Sequence, residues 1–428
     1  MLIAAGTLLL ALPSAAADGV SIGWFDSLFT AASAVCVTGL TVVDPATALS
    51  PWGQVVLLVL IQSGGLGCMV CATMIMVALG RRITLRDRVL IRESINAVSL
   101  AGLVRLTLAY GATVLAIELS GAMLLAVRFV PRFGVSRGCW YALFHAVSAF
   151  CNAGFDLTGA SVTEYRSDAY VLLVHSALII LGGTGFAVLA EVMRKRCRWR
   201  RLTLHARLVL IVSAALLLLG TAFYALLEWD NPATLGPCAT AGEKLLNAFF
   251  QSVTMRTAGF ESIDLSGLRD ASKLFSVLLM FVGASPASTG GGVKTTTISI
   301  LFLILWSVIR GQSDVSVLGK RLPPELMRRA VALLMIAMAV LWTGTLLLPV
   351  LGQDDHPLID LLFEAASALS TAGVSAVGTP RLTPAAQALL IPMMLFGRVG
   401  VLSLAMALAG RQETHPRIRY PEESIMIG

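Results

Sequence analysis

The chain has 428 residues, of which 57% are hydrophobic and 13% are charged, and its mean hydropathy is +0.82. Soluble domains carry roughly 25% charged residues, so this composition excludes an ordinary soluble protein and predicts one that crosses a membrane several times. The net charge is +7. Because most basic residues lie in loops beside apolar stretches, we attribute this charge to membrane topology and lipid contact and predict no nucleic-acid binding.

The apolar stretches predict where the chain crosses the membrane. The first, MLIAAGTLLLALP, is short and precedes SAAAD, which resembles a signal-peptidase site. Because no basic residue precedes it, we expect a shortened first transmembrane helix rather than a cleaved signal. Another apolar region, 271–309, is interrupted by GASPASTGGGVKTTT at 283–297, through which a helix cannot continue. Stretches that reach the roughly 20 residues needed to span a bilayer lie near 52–80, 103–130, 169–193, 206–229, 326–351 and 384–410.

Four shorter apolar segments alternate with these spans. They are too short to cross a bilayer, and their apolar residues recur three and four positions apart, so we predict re-entrant half-helices. They are WFDSLFTAASAV (24–35), RGCWYALFHAVSAF (137–150), EKLLNAFFQSVTM (243–255) and HPLIDLLFEAASALS (356–370).

A similar hexapeptide follows each half-helix: CVTGLT (36–41), CNAGFD (151–156), RTAGFE (256–261) and STAGVS (370–375). The hexapeptides lie roughly 110 residues apart, too far for a solenoid repeat. Irregular backbone at membrane depth persists only where it is buried in protein or lines a watery cavity. We therefore predict four glycine loops around one pore, where carbonyl oxygens form a cation site. The alternative is that the glycines only allow close helix packing; four matched copies make it the less favoured interpretation.

The charge distribution predicts the orientation. Basic clusters follow the second span of each repeat, at 81–92, 194–207, 310–329 and 411–419. By the positive-inside rule this side is cytoplasmic, so the half-helices enter from outside. The outer side carries an acidic excess, which attracts cations; it includes Asp156, Glu261, Asp264, Asp360 and Glu364. The 5 histidines show no shared ligand spacing, and therefore predict neither a metal site nor hydrolysis.

In these motifs the sequence resembles the Trk/Ktr/HKT superfamily of potassium transporters, and most closely its bacterial Ktr-type membrane subunits. The resemblance covers essentially the whole chain, through VCVTGLTVVD (35–44), FCNAGFDL (150–157), TMRTAGFESID (254–264), the 283–297 insertion and FGRVG (396–400). It implies an all-α polytopic membrane protein, with four helix, pore-helix, helix repeats in pseudo-fourfold order around one central ion pore. The implied repeats are 1–80, 81–193, 194–309 and 310–410, followed by a cytoplasmic tail, 411–428.

The resemblance also implies a function. We expect a transporter rather than an enzyme, which takes up potassium across the bacterial inner membrane. The family forms homodimers with one pore per subunit, and a cytosolic ring of RCK-type nucleotide-binding subunits regulates it. Plant relatives with serine at the first filter favour sodium, so Gly39 favours potassium. The alternatives are a sodium-coupled or sodium-permeable transporter of the same fold, and, less favoured, a secondary transporter of an organic solute. We also expect the apolar tail end, 425–428, to contact another subunit.

Two sets of residues follow from the resemblance. The filter residues, whose backbone carbonyls are expected to bind potassium, are Val37, Thr38, Gly39, Asn152, Ala153, Gly154, Thr257, Ala258, Gly259, Thr371, Ala372 and Gly373. The insertion resembles the family's intramembrane gate loop, with Gly283, Ser285, Ser288, Thr289, Gly290, Gly291, Gly292 and Lys294. Val293 separates Gly292 from Lys294, so the loop lacks the Gly-Lys pair of a phosphate-binding P-loop. We therefore expect nucleotide only on the regulatory partner.

Arg398 lies in the middle of an apolar span, where a cation needs water, a carboxylate or carbonyls as a partner. The resemblance places it beneath the filter, as part of the gate and as an electrostatic barrier. Glu118, within 103–130, is a candidate for an ion pair with it. We interpret SGGLG (63–67) and GGTGF (182–186) as sites of close helix packing.

Overall fold

The computed structural model describes residues 1–67, 103–196, 198–312, 314–317, 319–352 and 356–400. These residues form an all-α fold with one small hairpin, in which β1 (Ser316–Val317) pairs antiparallel with β2 (Lys320–Arg321). The helices are, in chain order, α1 (Leu2–Leu10), α2 (Trp24–Cys36), α3 (Pro45–Ala48), α4 (Pro51–Leu66), α5 (Leu103–Phe133), α6 (Val135–Cys151), α7 (Ala169–Gly183), α8 (Phe186–Arg194), α9 (Leu204–Glu228), α10 (Ala241–Thr254), α11 (Asp270–Phe281), α12 (Thr295–Ile309), α13 (Pro324–Gly352), α14 (Leu358–Ser370) and α15 (Pro384–Val399).

The helix starts follow from local side-chain chemistry. The oxygen of a serine, threonine or aspartate accepts a hydrogen bond from one of the first unpaired backbone N–H groups of the helix that follows. Residues that cap the long and medium helices in this way are Ser50, Asp168, Thr203, Thr240 and Thr383.

The four predicted half-helices are confirmed as α2, α6, α10 and α14, each within about two residues of its predicted bounds. Among the described helices, three are long and apolar enough to cross a membrane, and they lie in the predicted spans 103–130, 206–229 and 326–351. The predicted interruption of 271–309 is also confirmed, because α11 ends at Phe281 and α12 begins at Thr295. The chain therefore alternates long helices with short buried ones, as expected.

The predicted span over 169–193 is not a single straight helix. The chain forms α7 and α8, which are bent by 100° at a break in GGTGF. The cause is Gly185, whose φ of 90° no regular helix allows. GGTGF is thus a helix break as well as a packing site, whereas SGGLG packs as predicted, with Gly64 against the backbone of Val35. The parts of the spans 52–80 and 384–410 beyond Gly67 and Gly400, and the tail 411–428, lie outside the described residues.

The helices pack in a cyclic order. In each repeat, the helix after the hexapeptide packs against the half-helix of the next repeat: α4 on α6, α7 on α10, α11 on α14, and α15 back on α2. The first segment of the chain joins this arrangement, because α1 packs on α2 and α4. The half-helices are the most buried elements, whereas the long helices expose apolar side chains such as Leu119, Leu218 and Trp342. Exposed apolar surface of this extent fits contact with lipid rather than water.

Candidate functional site

The four hexapeptides share one backbone conformation. In each of them, the residue two positions before the glycine and the glycine itself both have positive φ. The φ values are 56° and 97° for Val37 and Gly39, 59° and 69° for Asn152 and Gly154, 69° and 82° for Thr257 and Gly259, and 53° and 80° for Thr371 and Gly373. A non-glycine residue in this region costs of order 1–3 kcal/mol, so strain repeated at four matched positions points to a function.

The half-helices end in a way that fixes this conformation. At the end of α2, the N–H groups of Val37 and Thr38 donate to the carbonyls of Ala34 and Ser33, at 3.1 and 2.8 Å. The ends of α6 and α14 repeat this Schellman pattern of bonds, which requires a left-handed residue just after the helix. The end of α10 differs, because Ala258 N–H donates to Thr254 at 2.9 Å. Three of the four loops thus begin with the same cap.

The four glycines meet in a ring. A Cβ atom added to Gly39 would lie 2.5 Å from the carbonyl oxygen of Ala153, in the second loop. A Cβ atom on Gly154 would lie 3.1 Å from the carbonyl oxygen of Ala258, in the third loop. A Cβ atom on Gly259 would lie 3.0 Å from the carbonyl oxygen of Ala372, in the fourth loop. A Cβ atom on Gly373 would overlap the carbonyl oxygen of Thr38, in the first loop. Each glycine therefore faces the carbonyl that precedes the glycine of the next repeat, and the fourth loop returns to the first. No side chain beyond hydrogen fits in this ring.

A cavity of about 450 Å³ opens above the ring, lined by all four glycines. Asp156, Glu261 and Asp264, which we predicted at the outer mouth, also line this cavity. Two of the predicted mouth residues are not part of it. Glu364 is fully buried behind the fourth loop, and Asp360 forms an ion pair with Lys273 at 2.6 Å.

Below the ring, the innermost loop residues present buried hydroxyl groups. The Oγ1 atoms of Thr257 and Thr371 are buried and have no hydrogen-bond partner among the described residues, whereas the matching residue of the first loop is Val37. Asn152, at the matching position of the second loop, is held instead, since its amide nitrogen can donate to the carbonyls of Ala149 and Ile179. Unsatisfied buried hydroxyls are costly, so two of them at matching positions beneath the ring indicate a place where another group binds.

The predicted gate loop is a tight hairpin between α11 and α12. Gly283 N–H donates to the Val293 carbonyl at 2.9 Å, and Ala284 N–H to the Gly291 carbonyl at 3.3 Å. The Lys294 amine closes the hairpin by donating to the Gly290 carbonyl at 2.7 Å. The loop therefore has a defined internal structure.

The hairpin lies directly under the ring. A Cβ atom on Gly290 would meet Thr257 Oγ1, and one on Gly291 would meet Thr371 Oγ1. The loop thus touches the inner residues of the third and fourth hexapeptides. Ser285 and Ser288 face each other within the loop, where the Ser288 hydroxyl donates to the Ser285 carbonyl at 2.6 Å.

The break between α7 and α8 holds the other side of the loop. The N–H groups of Ser285 and Thr289 donate to the carbonyls of Gly183 and Gly182, at 3.1 and 3.3 Å. In return, Phe186 N–H donates to the carbonyl of Ala287 at 3.0 Å. Helix packing alone does not predict this role. The signal was in the sequence, since three glycines within five residues are unusual in a helix.

Arg398 also reaches the loop. Its guanidinium donates to the carbonyls of Thr289 and Gly64, and to that of Gly65 at 3.3 Å. Backbone carbonyls thus surround the cation that was predicted beneath the filter. Glu118 lies elsewhere and accepts from Gln62 Nε2 at 3.0 Å; no ion pair between Glu118 and Arg398 occurs among the described residues.

Sequence reasoning missed the buried polar groups behind the hexapeptides. His145 in α6 and His175 in α7 are fully buried, and their Nδ1 and Nε2 atoms lie 3.3 Å apart. Glu364 in α14 accepts from the hydroxyls of Ser375 and Thr379, both at 2.6 Å. Spacing along the chain gives no signal for the histidine pair, because the two residues belong to different helices. Within the described residues no three metal-ligating side chains cluster.

Comparisons with known proteins agree with this geometry. Residues 5–415 match the TrkH family, whose description is cation transport protein. The chain is 37% identical to the Ktr system potassium uptake protein B of Bacillus subtilis over 423 residues, which cover 99% of this chain and 93% of the relative. It is 36% identical to the potassium/sodium uptake protein NtpJ of Enterococcus hirae, over 100% of this chain and 95% of that protein. These relatives are named as transporters, and none of these names is that of an enzyme.

The crystal structure of the potassium transporter TrkH from Vibrio parahaemolyticus has the same fold. The TM-score is 0.71, over 95% of this chain and 82% of that one, at 22% sequence identity. At this identity the likeness concerns the fold alone.

Proposed function

The chain belongs to the TrkH family of cation transport proteins, and on this premise we propose that it takes up potassium through the ring of four glycine loops. The observation that carries this proposal is the ring itself, in which the carbonyl before each glycine faces the glycine of the neighbouring loop. Inward carbonyls can replace the hydration shell of a potassium ion. We assign the filter to 37–39, 152–154, 257–259 and 371–373, with potassium as the transported substrate.

The chemistry of the ring favours a weakly hydrated monovalent cation. The ring is built from neutral backbone carbonyls that face glycines, with the buried hydroxyls of Thr257 and Thr371 below it. Divalent cations bind tightly where carboxylates supply the ligands. The nearby carboxylates of Asp156, Glu261 and Asp264 line the outer cavity instead, where they concentrate cations.

A sodium-permeable pore is the second candidate. The relative from Enterococcus hirae, at 36% identity, is named a potassium/sodium uptake protein. The ring alone does not separate the two ions, because selectivity depends on small differences in carbonyl geometry. A direct comparison of rubidium and sodium uptake separates these candidates.

We assign the hairpin 283–294 as the gate. It lies against Thr257 and Thr371, its Gly290 carbonyl accepts from the Lys294 amine, and its Thr289 carbonyl accepts from Arg398. A cation beneath a cation pathway forms an electrostatic barrier, so conduction requires the hairpin to move or the charge to be offset.

Regulation and assembly are part of the proposal. The relative from Bacillus subtilis is named as one protein of a Ktr system, which supports a partner subunit. We propose a cytosolic RCK-type ring that binds the nucleotide, a homodimer with one pore per subunit, and a location in the bacterial inner membrane. The basic cluster 194–207 is a candidate contact on the cytoplasmic side.

Rubidium uptake in a potassium-uptake-deficient bacterial strain tests the proposal. The chain is expressed with and without a Ktr-type regulatory subunit, and its amount in the membrane is measured. We expect growth at low potassium and rubidium uptake that rises with the regulator. Gly259→Ser is expected to lower rubidium uptake relative to sodium, because its Cβ atom would lie 2.7 Å from the Gly154 Cα atom. Full membrane insertion without rubidium uptake, or uptake that Gly259→Ser leaves unchanged, would contradict the filter assignment.

A further inference from the structure

The four half-helices carry four different side chains at one equivalent position. This position lies nine residues before the filter glycine and is occupied by Thr30, His145, Phe250 and Glu364. All four side chains are at most 1% exposed. Each half-helix thus buries one residue at this position, and we name these four residues the back-wall residues.

In the fourth repeat the back-wall residue holds the segment after the filter. The Glu364 carboxylate accepts from Ser375 and Thr379, two and six residues after Gly373. Ser375 Oγ in turn accepts from Gly378 N–H at 2.8 Å. Because buried polar groups are costly without partners, these paired hydrogen bonds fix the path of the chain as it leaves the ring.

In the second repeat a histidine pair does the same. The ring nitrogens can form one chain of bonds: His175 Nδ1 lies 2.9 Å from the Val171 carbonyl, and His145 Nδ1 lies 3.3 Å from His175 Nε2. A carbonyl can only accept, so His175 Nδ1 carries a proton, its Nε2 accepts, and His145 Nδ1 donates. His145 Nε2 is then free to accept from Leu157 N–H at 3.4 Å, three residues after Gly154.

The histidine pair also reaches the third loop. The ring of Phe260, directly after Gly259, lies 5.2 Å from the ring of His175 and 5.9 Å from that of His145. The third repeat has no polar back-wall residue, and other bonds hold its loop: Thr254 Oγ1 donates to the Phe260 carbonyl at 2.6 Å, and Val162 N–H to the Glu261 carbonyl at 3.1 Å.

The first repeat provides a natural contrast. Thr30 Oγ1 is buried and makes no hydrogen bond among the described residues. The first loop is held instead by Ser33, whose hydroxyl accepts from Gly39 N–H at 3.1 Å. A polar back-wall residue therefore forms hydrogen bonds to the segment after the filter glycine in the second and fourth repeats, but not in the first.

From these contacts we infer that His145 and Glu364 are positioning residues for ion selectivity, which hold the outer ends of the second and fourth filter loops in place. The inference rests on the proposed function, because it assigns to these residues the geometry of the potassium filter. They touch no ion; they act through Leu157, Ser375 and Thr379.

The test compares variants at the three polar back-wall positions in the full chain with its regulatory subunit. Rubidium and sodium uptake are measured at equal amounts of protein in the membrane. Glu364→Leu and His145→Leu remove the acceptors and are expected to lower the ratio of rubidium to sodium uptake about tenfold. His145→Gln keeps a donor and an acceptor, so its ratio of rubidium to sodium uptake is expected to stay close to that of the unchanged chain. Thr30→Val is the matched control. It is expected to leave the ratio of rubidium to sodium uptake unchanged, because the Thr30 hydroxyl makes no hydrogen bond among the described residues.

The possible results separate the inference from the proposed function. If the unchanged chain takes up no rubidium, the proposed function fails and the inference fails with it. If it takes up rubidium and the leucine variants keep its ratio, only the inference is overturned. If Thr30→Val lowered the ratio of rubidium to sodium uptake as much as the leucine variants do, the inference would also be overturned, because the back-wall position would then serve packing alone. If a leucine variant does not reach the membrane, Ser375→Ala combined with Thr379→Val removes the donors instead; a lowered ratio supports the inference and an unchanged one contradicts it.

Discussion

Replacing Gly39 with alanine should destroy selectivity, whereas the same change at Gly134 should not. Both glycines have positive φ, of 97° and 81°. A Cβ atom on Gly134 would meet no atom within 4 Å, while one on Gly39 would lie 2.5 Å from the Ala153 oxygen and 3.1 Å from the Gly154 Cα atom. The pair of variants therefore separates the cost of backbone strain from that of intrusion into the ring.

The expected magnitudes follow from this geometry. Alanine in the left-handed region costs about 1–2 kcal/mol, which both variants share. Carbon and oxygen atoms approach to about 3.3 Å, so at Gly39 the two loops must separate by about 0.8 Å. Functional groups need to stay within about 0.5 Å of their working positions, so this displacement exceeds the tolerance of the site.

The assay measures initial rates of rubidium and sodium uptake together with thermal unfolding of the purified protein. We expect both variants to lose a similar, small amount of stability. Only Gly39→Ala should lower the ratio of rubidium to sodium uptake, by about tenfold or more, since about 1.4 kcal/mol of discrimination corresponds to tenfold. If Gly39→Ala keeps the original ratio, or if Gly134→Ala loses it equally, the ring does not select the ion and the reasoning is refuted.

Three further predictions follow from the contacts of the gate loop and of the outer helices. Arg398→Ala removes the donor to the carbonyls of Thr289 and Gly64 and should raise rubidium uptake severalfold in cells that lack the regulatory subunit; unchanged uptake would show that the loop is held elsewhere. Thr289→Val removes one bond, from Oγ1 to the Phe150 carbonyl at 3.2 Å, and should raise the same uptake less than Arg398→Ala does. Lys273→Met leaves Asp360 without its partner and should cost about 3–5 kcal/mol of unfolding free energy. The double variant, which also carries Asp360→Leu, should recover most of this stability. Thermal unfolding of the unchanged protein and both variants measures the effect, and a double variant no more stable than Lys273→Met would contradict it.

The repeated units were predictable from sequence because two independent signals coincide in them. A segment of 12 to 15 apolar residues is too short to span a bilayer, and a hexapeptide with glycine follows it four times. The local signals agree with the global one, since a left-handed residue ends three of the four half-helices and a left-handed glycine turns each loop. Errors of one or two residues at the helix ends do not affect this agreement.

The parts that were not predictable depend on contacts between repeats. The three glycines of GGTGF could have indicated a helix break, but only the structure shows that this break binds the carbonyls and N–H groups of the 283–294 loop. His145 and His175 lie on different helices, so no spacing along the chain relates them. Arg398 was recognised as a cation in need of a partner, but its partners are carbonyls of two other repeats, and carbonyls leave no trace in a sequence.

The proposed gate loop belongs to the third repeat, and residues of the second and fourth repeats hold it in place. Thr289 is its main attachment. Its N–H donates to Gly182 and its hydroxyl to Phe150, both in the second repeat, and its carbonyl accepts from Arg398 in the fourth. Arg398 also binds Gly64 in the first repeat. Under the proposed function, opening must therefore break bonds of the loop to the second and fourth repeats together. A regulator that displaces either Arg398 or the α7–α8 break removes only part of this attachment, so full opening requires a movement that releases both.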